Sequence, residues 1–218
     1  MKFDSASLQV YLVIGSQNVG GKPEEVLRIA REACAAGITA LQYREKDGSK
    51  LNQQEKLNLG KELRTITAKY QVPLYVDDDL ELALAIDADG IHVGQADTKV
   101  PQIKAAAPQL MLGLSVHNLD ELTKSRSVLG QVDYLGVGPV FATNSKAQAK
   151  EPIGPAGLQE VCSQSPLPVV AIGGIKCHNA DQVAGKGAAG IAVISAITAS
   201  NNIAEIVKEL KEKQTDEK

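Results

Sequence analysis

Eight short apolar runs divide the chain, and helical patterns fill most of the spaces between them. The runs are LQVYLVI at 8–14, ITALQYR at 38–44, PLYV at 73–76 and GIHV at 90–93, then LMLGLS at 110–115, VDYLGVG at 132–138, PVVAI at 168–172 and GIAVI at 190–194. Several are apolar at both alternating positions, as strands covered on both faces must be. The stretch EEVLRIAREACAAG puts Val26, Leu27, Ala30 and Ala33 on one helical face, with Gly37 placed to end it. LNQQEKLNLGKELRTITAKY reads as a second, longer helix. Eight strand–helix units in unbroken succession predict a closed parallel sheet, an α/β fold of the single-domain (β/α)8 TIM-barrel type. An open doubly wound sheet is the competitor. It rarely uses eight strands, and no GxGxxG follows the first run to begin a dinucleotide site. The 218 residues are near the lower limit for such a barrel, so 1–218 reads as one domain.

Composition narrows the function classes. The chain is 44% hydrophobic and 22% charged with a net charge of −3, so it lacks the basic field that nucleic acid demands. No apolar run approaches the ~20 residues of a membrane span, and MKFDSASLQ has no apolar centre of a signal peptide. Cys34, Cys162 and Cys177 are an odd number without metal-site spacing, which points to reduced thiols and a cytoplasmic protein. The expected partners are therefore small molecules, with a homo-oligomer compatible. The end of the chain, 211–218, is highly charged and is expected to fray.

Barrel active sites lie at the C-terminal ends of the strands, which turns the sequence into a set of candidates. After the second run come Gln42, Arg44, Glu45 and Lys46; after the third, Asp77, Asp78 and Asp79; after the fourth, Gln95 and Asp97; after the fifth, Ser115 and His117. The sixth run leads into the longest interval, about 139–154, which is rich in Gly and Pro, has no apolar periodicity and carries Thr143, Asn144, Ser145 and Lys146. A loop of that length in a compact domain is usually functional or disordered, and it is expected to be mobile.

Two charged groups emerge. Arg44, Lys46 and Lys146, together with the hydroxyls of Thr143 and Ser145, match a phosphate cradle, although each cation singly fits solvated surface. Asp77, Asp78 and Asp97 would repel one another unless a hard cation joined them. Mg2+ takes one or two carboxylates plus phosphate oxygens, so the two groups together point to a Mg2+–polyphosphate complex. Asp79 has the alternative role of a helix N-cap. A third feature is the pair AIGGIKCHN and GIAVISAIT, whose glycines and short helix start fit a monophosphate site. His92 fits a core position, and no His/Cys grouping supports zinc. Tyr11, Tyr43 and Tyr75 are either pocket rings or packing.

Taken in order, QYREK, VDDD, GIHVGQAD, GLSVH, YLGVGPVFATNSK, VVAIGGI and AVISAIT resemble the thiamine phosphate synthase family over about residues 10–200. The resemblance implies a reaction in which hydroxymethylpyrimidine diphosphate loses pyrophosphate and its methylene carbon bonds to the ring nitrogen of hydroxyethylthiazole phosphate. It further implies that Asp78 and Asp97 ligate Mg2+, that Arg44, Lys46 and Lys146 meet the diphosphate with Thr143 and Ser145, and that Gln42 bonds the pyrimidine. Ser115 would lie beside the reacting groups, and Gly174, Ile194 and Ser195 would hold the thiazole's phosphate. Two departures stand out: Asp77, where the family usually has Asn, and Ser145, where Thr is common. An ionised Asp77 repels a pyrophosphate oxygen to which an amide would donate. A thiazole tautomerase of the same build, with His117 as proton shuttle, and a non-catalytic thiazole or thiamine phosphate-binding module are the competing readings. The presence of Gln42, Arg44, Lys46, Asp78, Asp97 and Lys146 together favours the synthase.

Overall fold

The computed structural model describes residues 2–46, 48–145 and 150–215. All eight apolar runs are strands: β1 (Val10–Ile14), β2 (Ala40–Tyr43), β3 (Leu74–Asp77), β4 (Gly90–Val93), β5 (Met111–Val116), β6 (Tyr134–Val137), β7 (Val169–Ile172) and β8 (Gly190–Val193). They pair in parallel with their sequence neighbours, and β1 pairs with β8 to close the barrel. The helices are α1 (Pro23–Ala36), α2 (Gln53–Tyr70), α3 (Leu80–Ala85), α4 (Val100–Ala106), α5 (Leu119–Ser125), α6 (Gly154–Gln164), α7 (Ser195–Thr198) and α8 (Ile203–Thr215). The expectation of an unbroken strand–helix alternation fails at one place. Between β7 and β8 the chain makes turns and a single 3-10 turn at Ala180–Gln182, so His178 lies in a turn and starts no helix.

The helix ends follow local chemistry. Pro23 opens α1, and Gly37 ends it at φ 92°, a left-handed conformation that glycine adopts without strain. Asn52 and Glu55 form a reciprocal capping box on α2, with bonds of 3.0 and 2.8 Å. Asp79 caps α3, its Oδ1 accepting from the Leu82 N–H at 2.9 Å, so the third aspartate of the triplet has its structural role. At the N-terminal rim, side chains just before even-numbered strands accept from a backbone N–H at the start of the preceding strand, its first or second residue. Thr39 takes Val10, Asp89 takes Leu74 and Asp133 takes Leu112, at 2.9, 2.9 and 2.7 Å.

Two apolar layers result. Outward-facing strand residues such as Leu12, Leu41, Val76, Ile91, Leu112 and Leu135 pack against the helices. The interior is filled by Tyr11, Tyr75, Tyr134, Met111, Val170 and Ala192, with Leu8 and Phe3 below them. Three rings fit because the facing positions have no side chain. A Cβ on Gly90 would lie 2.5 Å from Tyr75, and one on Gly113 would lie 2.3 Å from both His92 and Tyr134. Of the tyrosines weighed from sequence, Tyr11 and Tyr75 are thus barrel filling, while Tyr43 faces the helices and donates to the Lys56 carbonyl.

Candidate active site

The C-terminal strand ends bring most of the candidates together. Arg44 and Lys46 leave β2 beside Asp77 and Asp78 at the end of β3, and Asp97 comes from the turn after β4. Arg44 Nε lies 3.2 Å from Asp77 Oδ2, both side chains being about nine-tenths buried (8% and 11% exposed). Lys46 Nζ stands among three carboxylates, 2.6 Å from Asp78, 3.4 Å from Asp97 and 3.7 Å from Asp77. Two cations therefore face three acids. Asp78 has φ 69°, a strained value for a residue with a side chain, and its N–H donates to the His92 carbonyl.

The electrostatics follow from that crowding. Burial, reinforced by neighbouring Asp97, raises the Asp78 pKa against the pull of Lys46. Asp97 goes the other way: burial would raise it, but the Gly94 N–H at 2.7 Å, then Asp78 and Lys46, hold it below the usual carboxylate range. Burial works to lower the Lys46 pKa, and the bond to Asp78 with the fields of the three acids raises it overall. Asp78 Oδ1 is buried and accepts no hydrogen bond. A buried, unsatisfied carboxylate oxygen is costly; with Asp97 alongside, it fits a hard divalent cation. Among the described residues no group of three or more His, Cys, Asp or Glu forms a closed cage, and a Mg2+ site completed by substrate oxygens needs none.

Beside this cluster opens a cavity of about 360 Å3. Asp97 is its link to the charged cluster; Ser115, His117, Thr143, Ser145, Gly174, Ile194 and Ser195 are also in its wall. Gln42, Arg44, Lys46, Asp77 and Asp78 are not in its wall; Lys46 and Asp78 adjoin it through Asp97. Lys146 lies outside the described residues. Gly173 and Gly174 have φ of 103° and 66°, and a Cβ on them would lie 2.4 Å from Pro139 and 2.5 Å from the Ala142 carbonyl. Their first service is thus to let the segment after β6 cross them closely. Glu45, by contrast, turns away and accepts from the Ser16 N–H and hydroxyl, both at 2.7 Å.

Several residues in and around the site were not singled out from sequence. Tyr134 completes a buried polar row: Gln42 Nε2 to Tyr11 OH (3.2 Å), Tyr11 OH to Tyr134 OH (2.9 Å), Tyr134 OH to His92 Nδ1 (3.0 Å) and His92 Nε2 to Ser115 Oγ (2.9 Å). His92 is the satisfied core histidine its strand position predicts. Glu121 and Lys150, an ion pair, sit in the cavity wall, and Glu121 also accepts from the His117 N–H at 2.9 Å. Lys176 Nζ donates to Ser195 Oγ at 2.7 Å. The available signal for Lys176 was its place, two residues after the glycine pair.

A closed parallel barrel whose cavity and charged cluster share the C-terminal strand ends has the plan of the (β/α)8 barrel enzymes. The family model described as thiamine monophosphate synthase matches residues 10–197. A thiamine-phosphate synthase of Oceanobacillus iheyensis is 44% identical over 211 residues, 96% of this chain and 100% of that protein. One from Leuconostoc citreum is 47% identical over 204 residues, 93% and 95% of the two chains. The solved thiamine phosphate pyrophosphorylase from Pyrococcus furiosus superposes with a TM-score of 0.83 at 36% identity, covering 96% of each chain. The chain belongs to the thiamine monophosphate synthase family.

Proposed function

We propose that this chain is a thiamine phosphate synthase that joins hydroxymethylpyrimidine diphosphate to hydroxyethylthiazole phosphate and releases pyrophosphate in a Mg2+-dependent, dissociative displacement. Family membership supports the activity, and one observation carries the site: Arg44, Lys46, Asp77, Asp78 and Asp97 meet at one corner of the barrel mouth. Asp78 and Asp97 would hold Mg2+, which supplies positive charge to the diphosphate oxygens. The methylene C–O bond breaks and its electron pair leaves with pyrophosphate; Arg44, Lys46 and Lys146 stabilise that growing charge by preorganised electrostatics, with Thr143 and Ser145 donating to the oxygens. Gln42 bonds the pyrimidine, and Ser115 stands beside the carbon that becomes cationic. The thiazole nitrogen then forms the C–N bond with its lone pair. No proton leaves the nucleophile, so no general base is required. Gly174, Ile194 and Ser195 hold the thiazole's phosphate. The 139–154 segment, which brings Thr143, Ser145 and Lys150 to the cavity, keeps water from the cation.

We place the activity in the cytoplasm, on small phosphorylated substrates. No helix among the described residues is long and apolar enough to cross a membrane. The test is a coupled assay for pyrophosphate with both substrates, with and without Mg2+. Release that needs both substrates and the metal supports the reading. Isomerisation of a thiazole carboxylate phosphate without metal, or binding without turnover, refutes it.

A further inference from the structure

Lys176 stands apart from Lys46 and Lys150, the other described lysines of the barrel mouth. Lys46 has three carboxylates around it and Lys150 is paired with Glu121. Lys176 is half-buried, yet among the described residues it has no carboxylate partner; its ammonium is held at the tip by the Ser195 hydroxyl, 2.7 Å away. Its backbone is held too. The Lys176 N–H donates to Asn179 Oδ1 at 2.8 Å, and Asn179 Nδ2 donates to the Gly174 carbonyl at 3.1 Å. Asn179 is itself buried, so the turn that carries Lys176 is fixed against the Gly174 backbone. Ser195, Gly174 and Ile194 form one end of the cavity wall, so the ammonium reaches the end to which a phosphate is assigned above. Burial lowers the Lys176 pKa, as expected of a cation that has lost water and gained no anion.

We propose that Lys176 is a specificity-determining residue: it supplies the side-chain charge that recognises a phosphate monoester at the Gly174–Ile194–Ser195 end of the cavity and separates the phosphorylated thiazole from its free alcohol. This rests on the assignment of that cavity end to the thiazole phosphate. The backbone can bind an anion of any charge, whereas a fixed ammonium favours the dianion. Losing one charge-assisted hydrogen bond of this kind costs roughly ten- to a hundredfold in affinity.

The experiment compares wild type with Lys176→Met, Lys176→Gln and Lys176→Arg, using steady-state kinetics and direct titration of hydroxyethylthiazole phosphate and of hydroxyethylthiazole. In the Met and Gln variants, the KM and Kd for the phosphate rise about ten- to a hundredfold. The KM for the pyrimidine diphosphate and kcat at saturation stay within about threefold, and the preference for phosphate over alcohol falls by the same factor as affinity. Lys176→Arg recovers most of the loss. Unchanged affinity for the phosphate in a folded Met or Gln variant overturns the proposal, as does an equal loss for phosphate and alcohol. A wild type without turnover that still binds the monoester through Lys176 overturns the synthase reading and upholds this one. Turnover in which the affinity for the phosphate does not depend on Lys176 does the reverse.

Discussion

Asp77→Asn tests what the unusual aspartate does. Its carboxylate lies 3.2 Å from Arg44 Nε and 3.7 Å from Lys46 Nζ, so it holds both cations proposed to meet the diphosphate. At an effective dielectric constant of about 20, the 3.2 Å contact is worth about 5 kcal/mol of gross Coulomb attraction. Desolvation of both side chains offsets most of it. Asn keeps an oxygen that can accept from Arg44 Nε while giving up the charge, so the stability loss should be about 1 kcal/mol, a fall of about 2–4 °C in Tm for a chain of this size. The same change removes a negative charge from the proposed pyrophosphate site and loosens the hold on two cations. Pyrophosphate in saturating Mg2+ should bind about tenfold more tightly, a gain of about 1.4 kcal/mol, and kcat should be preserved or rise. Calorimetric titration of pyrophosphate, with a thermal melt of the same sample, reads both numbers. Weaker pyrophosphate binding by a variant that melts within a few degrees of wild type would refute the reasoning. It would show that the carboxylate positions Arg44 for the ligand instead of competing with it.

Other outcomes follow from the same geometry. Lys46→Ala and Asp78→Ala should each cut turnover by at least ~10²-fold with the fold intact by circular dichroism; near-normal rates in both would dismantle the site assignment. Gly113→Ala drives a Cβ to within 2.3 Å of His92 and Tyr134 and should destabilise by about 1–3 kcal/mol in urea denaturation, with wild-type stability as the contrary result. Glu121 has a depressed pKa: burial would raise it, but Lys150 and the His117 N–H outweigh that. Its stabilising share is therefore present above the unfolded carboxylate value, about 4.3, and is lost as pH falls through the folded one. Glu121→Gln should be less stable than wild type at pH 7 by no more than about 1 kcal/mol, because Lys150 is half exposed. The gap should close below about pH 4, and a gap independent of pH would assign the effect to packing.

The barrel was legible because parallel strands covered on both faces leave unbroken apolar runs, and the five charged residues converged because β2, β3 and β4 are neighbours in sequence and in space. What escaped the sequence depends on what faces what. The β7–β8 crossover lacks an α-helix, and Gly185 and Gly187, both at positive φ, break its pattern. Glu45 looked like part of the QYREK site, but Ser16 draws it to the other side of the loop. Tyr134 joined the interior only once Gly113 and Gly136 were known to face His92. Lys176 counts only because its side chain reaches Ser195, nineteen residues further along the chain.

The row from Gln42 through Tyr11, Tyr134 and His92 to Ser115 spans the barrel from β2 to β5. Each hydroxyl carries a single hydrogen and a neutral imidazole a single N–H, so with one hydrogen serving each link all four run the same way. The Gln42 amide nitrogen can only give, so Tyr11 gives to Tyr134, Tyr134 gives to His92 Nδ1, and the Nε2–H of His92 gives to Ser115. Ser115 is thereby the receiving end and keeps its own hydrogen for a guest in the cavity, a choice made by an amide on another strand with no backbone atom having to move.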